Sequence, residues 1–204
     1  MENRSNRMFD NMMQAARANL QGMCPEEIAR KTNAVFDTEM QVFRMNTLGT
    51  ALEISYPDYV IQPELSGWHQ LLVLHYLYQA EGMPLIGQQL PLSRLRDGMI
   101  RGGGFDLRFE QEIAALMQEI HEEEFICRCQ RMGGKLIEGN ADIEILFSFF
   151  PNYPVYIKIW LSDEEFPASG RMLLDASADH YLSIEDAVTV GEVLLEKIKN
   201  YGSV

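Results

Sequence analysis

Cysteine is scarce in this chain: three thiols in 204 residues, Cys24, Cys127 and Cys129. An odd count without framework spacing excludes a disulfide scaffold and predicts free thiols in a reducing cytosol. Long apolar runs are lacking too. Runs such as Leu71–Tyr78 fall far short of the ~20 residues a membrane span needs. Positive charge is in deficit, with 17 Lys+Arg against 30 Asp+Glu and a net charge of −13. Such a surface repels nucleic-acid phosphates and anionic lipid head groups. Neither nucleic acid nor membrane is therefore an expected partner. The plain meaning of the charge is solubility, and the sharper one a cationic or metal-bearing partner. The stretch MENRSNRMFDNMMQAARANL has no apolar core of the kind a secretory signal carries, so a cytoplasmic location is expected.

Assembled chemical motifs are missing as well. Gly98, Gly102, Gly103 and Gly104 fit neither G-x-G-x-x-G nor the P-loop pattern, so a flexible loop and no nucleotide are expected. Cys127 and Cys129 are two apart, which on a helix turns them about 200° from each other. They cannot chelate together, and zinc sites bring two such pairs. Three thiols so placed do not support an iron–sulfur cluster, and no metal is expected. His69 and His75 diverge by about 120° on their helix and are not an H-x-x-x-H pair. His75 reads as a hydrogen-bonded core residue and His69 as the more open one. His121, followed by Glu122–Glu124, reads as part of a solvated face.

What is present is a core and a pattern. Hydrophobic residues make up 47% of the chain, enough for a proper interior, and no Ser/Gly linker divides it. A single α+β domain over 1–204 is expected, opening with a helical segment at 1–34. Alternating positions predict antiparallel β-meanders at about 35–62 and 142–175. Asn46–Gly49 and Pro151–Pro154 supply turns. A helix apolar nearly all round, 66–80, belongs in the centre. A long helix is expected at 107–131, with Phe109, Ile113, Leu116, Met117, Ile120 and Cys127 as its apolar stripe. A last helix follows at about 184–199. Each meander is followed by a helix, which hints at a weak internal duplication without matching residues. Runs of strands segregated from runs of helices argue for α+β rather than alternating α/β.

Two acidic stretches carry the candidate chemistry. Asp163-Glu164-Glu165-Phe166-Pro167 links two strands, and its carboxylates suit either a hard cation or a solvated turn. The stretch LDASADHYLSIED, 174–186, holds four carboxylates and a histidine. Ser183-Ile184-Glu185-Asp186 has the capping-box pattern, and Asp175-Ala176-Ser177 can make an Asx turn. Asp179 and His180 have no such structural task. One reading is an enzyme in which Asp175, Asp179 and His180 meet the Asp163–Glu165 loop to hold a metal or run acid–base chemistry.

Three segments, GWHQLLVLHYL (67–77), DEEFP (163–167) and LLDASADHYLSIEDA (173–187), carry a resemblance. In order and spacing the chain resembles the domain of unknown function 3786 family of anaerobic bacteria and archaea, from about residue 40 onward. Trp68, His69, Asp163, Glu164, Glu165, Phe166, Pro167, Asp175 and Glu185 match that family's recurring motifs. The resemblance implies an accessory or ligand-binding role in anaerobic metabolism, with a corrinoid or a redox partner as ligand. Some similar proteins carry a cysteine-rich iron–sulfur domain, which this chain lacks. The expected reading is a non-catalytic binding module whose candidate pocket draws on Trp68, His69, Asp163, Glu164, Glu165, Asp175, Asp179 and His180. A homodimer or other protein partner at the edge of the 142–175 sheet is a third reading.

Overall fold

The computed structural model describes residues 2–200, with side-chain surroundings from Arg7 onward. Helices α1 (Glu2–Leu20) and α2 (Pro25–Thr32) come first. Pro25 at the first helical position and Glu26–Glu27 in the first turn start α2, and Asn33 ends it in the left-handed region. Strands β1 (Val35–Asp37), β2 (Val42–Thr47), β3 (Thr50–Ser55) and β4 (Ile61–Gln62) form an antiparallel meander in chain order. Its central hairpin turns on Leu48 and Gly49, both at positive φ, which matches the right-handed twist of the strands. Helix α3 (Gly67–Gln79) then runs through the core, with Leu71–Leu74, Tyr76 and Leu77 buried.

The chain next makes strand β5 (Gln89–Leu90) and a 3₁₀ turn at Leu92–Arg94. Helices α4 (Gly98–Glu119) and α5 (Glu122–Arg131) follow. A second sheet has the order β5-β9-β8-β7-β6, with β6 (Lys135–Leu136), β7 (Ile143–Phe150), β8 (Tyr153–Trp160) and β9 (Ser169–Asp175). Helix α6 (Ile184–Lys199) closes the described chain. No described helix is long and apolar enough to cross a membrane.

The order of elements occurs twice. Two helices, a four-stranded meander and one helix span 2–79, and again 98–199. The packing recurs with the order. Helix α1 packs on α3 as α4 packs on α6, and α2 touches β1 and α3 as α5 touches β6 and α6. Across the seam each element meets its counterpart, β2 against β7 and α3 against α6. Asn33 after α2 and Gly133 after α5 both adopt left-handed φ, at 57° and 81°. The seam is tight: Leu48 N–H donates to Ser148 O, and a Cβ on Gly133 would lie 2.7 Å from Gly49 N.

Two expectations are corrected. The Gly-rich stretch is not a loop but the first turns of α4. Cβ atoms on Gly98 and Gly102 would lie 2.0 Å from Leu92 O and 2.4 Å from Leu92 C. One turn on, Asp106 accepts from the N–H groups of Leu92 and Ser93 at 3.2 and 3.0 Å. Glycines at i and i+4 thus let the helix sit on the 3₁₀ turn. The expected single helix 107–131 is two, broken at Ile120–His121. Leu116 and Phe125 are nine residues apart, which in one helix would aim them at opposite faces. The break lets both be buried, and the second face is Phe125 and Cys129, with Cys127 only half-buried. The 142–175 meander is flanked on both sides, but only in part: short β6 pairs with β7 and short β5 with β9 over two residues each.

Candidate functional site

Helix α3 ends where α6 begins, and a polar cleft of about 700 Å³ opens between them. Tyr78, Gln79 and Glu81 come from the end of α3, and Arg96 and Asp97 from the approach to α4. Asp179, His180 and the start of α6 complete it. Two segments distant in sequence are laced together beneath it. Glu81 N–H donates to His180 O, the Tyr181 hydroxyl donates to Met83 O, and Ala176 N–H donates to Gln88 O.

His180 is oriented by a carboxylate, but not by its neighbour. Its Nδ1 lies 2.6 Å from Glu81 Oε2, while its Nε2 is 3.9 Å from Asp179 Oδ1. The bond from His180 holds the Glu81 carboxyl below the usual range. Asp179 faces Arg96, whose Nε is 3.7 Å from Oδ2. Asp179 Oδ1 is buried and has no hydrogen-bond partner. A second orphan is the hydroxyl of buried Tyr153. Burial first, and then the charges of Asp186 and Asp179, push the Tyr153 phenol upward.

Beside the cleft Asp186 does more than cap α6. The reciprocal capping box with Ser183 is present. Asp186 Oδ1 also lies 2.7 Å from His75 Nδ1, and Gln79 donates to Oδ2 at 3.1 Å. Burial opposes the charge, yet the His75, Ser183 and Gln79 donors outweigh it and hold this carboxyl low. His75 is thus the partly open histidine, packed edge-on to Tyr78.

The other expected site residues fall elsewhere. Asp175 is buried and faces inward. It accepts from Ile86 N–H, Gly87 N–H, and the N–H and hydroxyl of Ser177. Those donors overcome burial and lower its pKa. Its work is to close the Asx turn and anchor the 86–87 loop. Asp163, Glu164 and Glu165 are exposed at the other end of β9, about 20 Å along the strand. Asp163 Oδ1 accepts from the N–H groups of Glu165 and Phe166, so it shapes its own loop. The acid–base or metal centre built on Asp163–Glu165 with Asp175, Asp179 and His180 therefore does not form. Trp68 and His69 sit at the opposite end of α3, roughly 15 Å from Gln79. Trp68 is half-exposed against Phe9, with ring centres 5.3 Å apart. His69, expected to be the open histidine, is 1% exposed with Nε2 2.7 Å from Thr47 Oγ1. Among the described residues no three His, Cys, Asp or Glu side chains are placed to hold a metal ion.

Of the residues expected to form the pocket, Asp179 and His180 alone reach the cleft, where Glu185 of the resemblance motifs joins them. Glu81, Arg96, Gln79 and Asp97 were not legible as their partners. Nothing in local spacing points from His180 to a carboxylate 99 positions away. Chemically the cleft offers an oriented imidazole, a surplus of carboxylates and no adjacent nucleophile, since the Ser183 hydroxyl is spent on Asp186. No curated protein and no solved structure matches the chain. The model of one family matches residues 24–197, and the chain therefore belongs to the family described as Domain of unknown function (DUF3786).

Proposed function

We propose that this chain is a non-catalytic binding module whose ligand is a small molecule with a positively charged nitrogen, held in the α3–α6 cleft. The observation that carries this is Asp179 Oδ1, a buried carboxylate oxygen without a donor at the cleft. A buried acceptor left unmade costs about 1–3 kcal/mol, which a ligand ammonium offsets by bonding to it. The surrounding charge agrees: Glu81, Asp97, Asp179 and Glu185 line the cleft against Arg96 as the one fixed cation among its lining residues. Calorimetric titration with primary amines, their uncharged alcohol counterparts and carboxylate anions tests it. Saturable heat with the amines, weakened tenfold or more in Asp179→Asn, is expected. Flat titrations across the panel sink the reading. A place in corrinoid metabolism enters as one arm of this panel, a cobalamin titration.

The His180–Glu81 contact favours a second reading, a general base. A carboxylate on Nδ1 leaves Nε2 to take a proton, as in catalytic dyads. A broad hydrolase screen tests it. Turnover lost in His180→Asn and reduced in Glu81→Gln supports an enzyme, and no turnover leaves the binding reading standing.

A further inference from the structure

Two exposed patches are left without a task by the fold and by the cleft. The first is at the start of α4. Met99 and Ile100 are 84% and 85% exposed, the barest large apolar side chains of the described residues. They border a surface hollow of about 710 Å³ together with Arg94, Arg101 and Asp97, the last shared with the α3–α6 cleft. Neither arginine makes an ion pair or a side-chain hydrogen bond among the described residues. The second is the β8–β9 loop. There Phe166 is 66% exposed beside Glu164 and Glu165, which also lack partners among the described residues. Asp163 closes this loop on the N–H groups of Glu165 and Phe166, so the bare ring and the two free acids are held in a fixed turn.

Each patch has what the other lacks. One offers two unpaired cations against a single acid, Asp97, around an apolar hollow, the other two unpaired anions around one aromatic ring. They cannot meet within a molecule. Gly170, beside the loop, packs on Ile113 of α4, about 22 Å along that helix from Gly98. We propose that the Glu164–Phe166 loop of one copy docks in the Arg94–Arg101 hollow of a second copy, a head-to-tail contact between identical chains. Phe166 fills the hollow, and the glutamates pair with the arginines. Contacts of this kind join unlike surfaces, so they propagate into rings or open chains rather than stopping at a symmetric dimer. Charge steers the encounter, and salt weakens it.

Sedimentation of the full chain over a concentration series tests the proposal. The expected result is a mass that rises beyond a dimer and falls back in 0.5 M salt. Arg94→Glu with Arg101→Glu, and separately Glu164→Ala with Phe166→Ala, should each weaken association tenfold or more with unchanged circular dichroism. The decisive arm mixes the two variants. Each keeps one intact patch, so the mixture should form a 1:1 heterodimer and nothing larger. A wild-type chain that stays monomeric at all concentrations overturns the proposal. So does association that neither variant disturbs, or a variant mixture that remains monomeric. These outcomes are independent of what binds in the α3–α6 cleft.

Discussion

His69 shows how burial fixes a protonation state. Buried among Phe149 and Phe150, with Nδ1 unpartnered, it is pushed down to about 3 by burial and secondarily by Lys197. The folded chain therefore keeps it neutral while the unfolded chain binds a proton below the ordinary histidine value of 6.5. Stability is complete above that pH and falls as pH drops from 6.5 toward 3. Between pH 6.5 and 5 the loss attributable to His69 is about 2 kcal/mol. Urea denaturation at the two pH values should show that loss in wild type and not in His69→Gln. Asp175 and Asp186 act lower. Their pKa values lie below the ordinary aspartate value of 3.8, so their stabilisation is present above it and disappears as pH falls through the folded values. Asp175→Ala strands the buried N–H and hydroxyl of Ser177 and frees the part-buried N–H groups of Ile86 and Gly87, and is expected to cost about 3 kcal/mol by denaturation at pH 7.

At the scale of elements, one glycine tetrad gives opposite signs. Gly98→Ala and Gly102→Ala drive a methyl into the Leu92 backbone and should lower the melting temperature. Gly104 has open space around its Cβ direction, and Gly103 only an ordinary 3.8 Å contact. Alanine at those two positions should raise stability by about 0.5–1 kcal/mol each through backbone entropy. Thermal melts of the four single variants check both signs. This stretch also marks the limit of local reading. Glycine density reads as a loop when the partner surface is unknown, and here that partner is a 3₁₀ turn packed against them. The alternation of 143–150 and 153–160, the Ser183 cap and the Asp175 Asx turn were legible because each is decided within a few residues. The break at Ile120–His121 was implicit in the nine-residue jump from Leu116 to Phe125. The cleft was not legible, because its pairs, Glu81–His180 and Arg96–Asp179, join residues far apart in sequence.

At the scale of the molecule, the repeated halves share one interior. The seam of β2 on β7 and α3 on α6 joins the cores, so neither half has a hydrophobic face of its own to bury separately. The chain carries two tryptophans, Trp68 in the first half and Trp160 in the second. Single-tryptophan variants, Trp160→Phe and Trp68→Phe, should report unfolding at the same denaturant midpoint once each is corrected for its own change in stability. Midpoints that separate would show halves that unfold one at a time. Gly133→Ala, which presses a methyl on the Gly49 backbone at a left-handed position, should shift both reporters together.

The seam has a further consequence. Because β2 meets β7 and α3 meets α6, each half offers its neighbour the same set of elements that it receives. That is the geometry of an isologous interface, written here within one polypeptide. The architecture is thus that of a dimer joined into one chain. One end of its α3–α6 pair holds the His180 cleft, while the other carries the sealed His69.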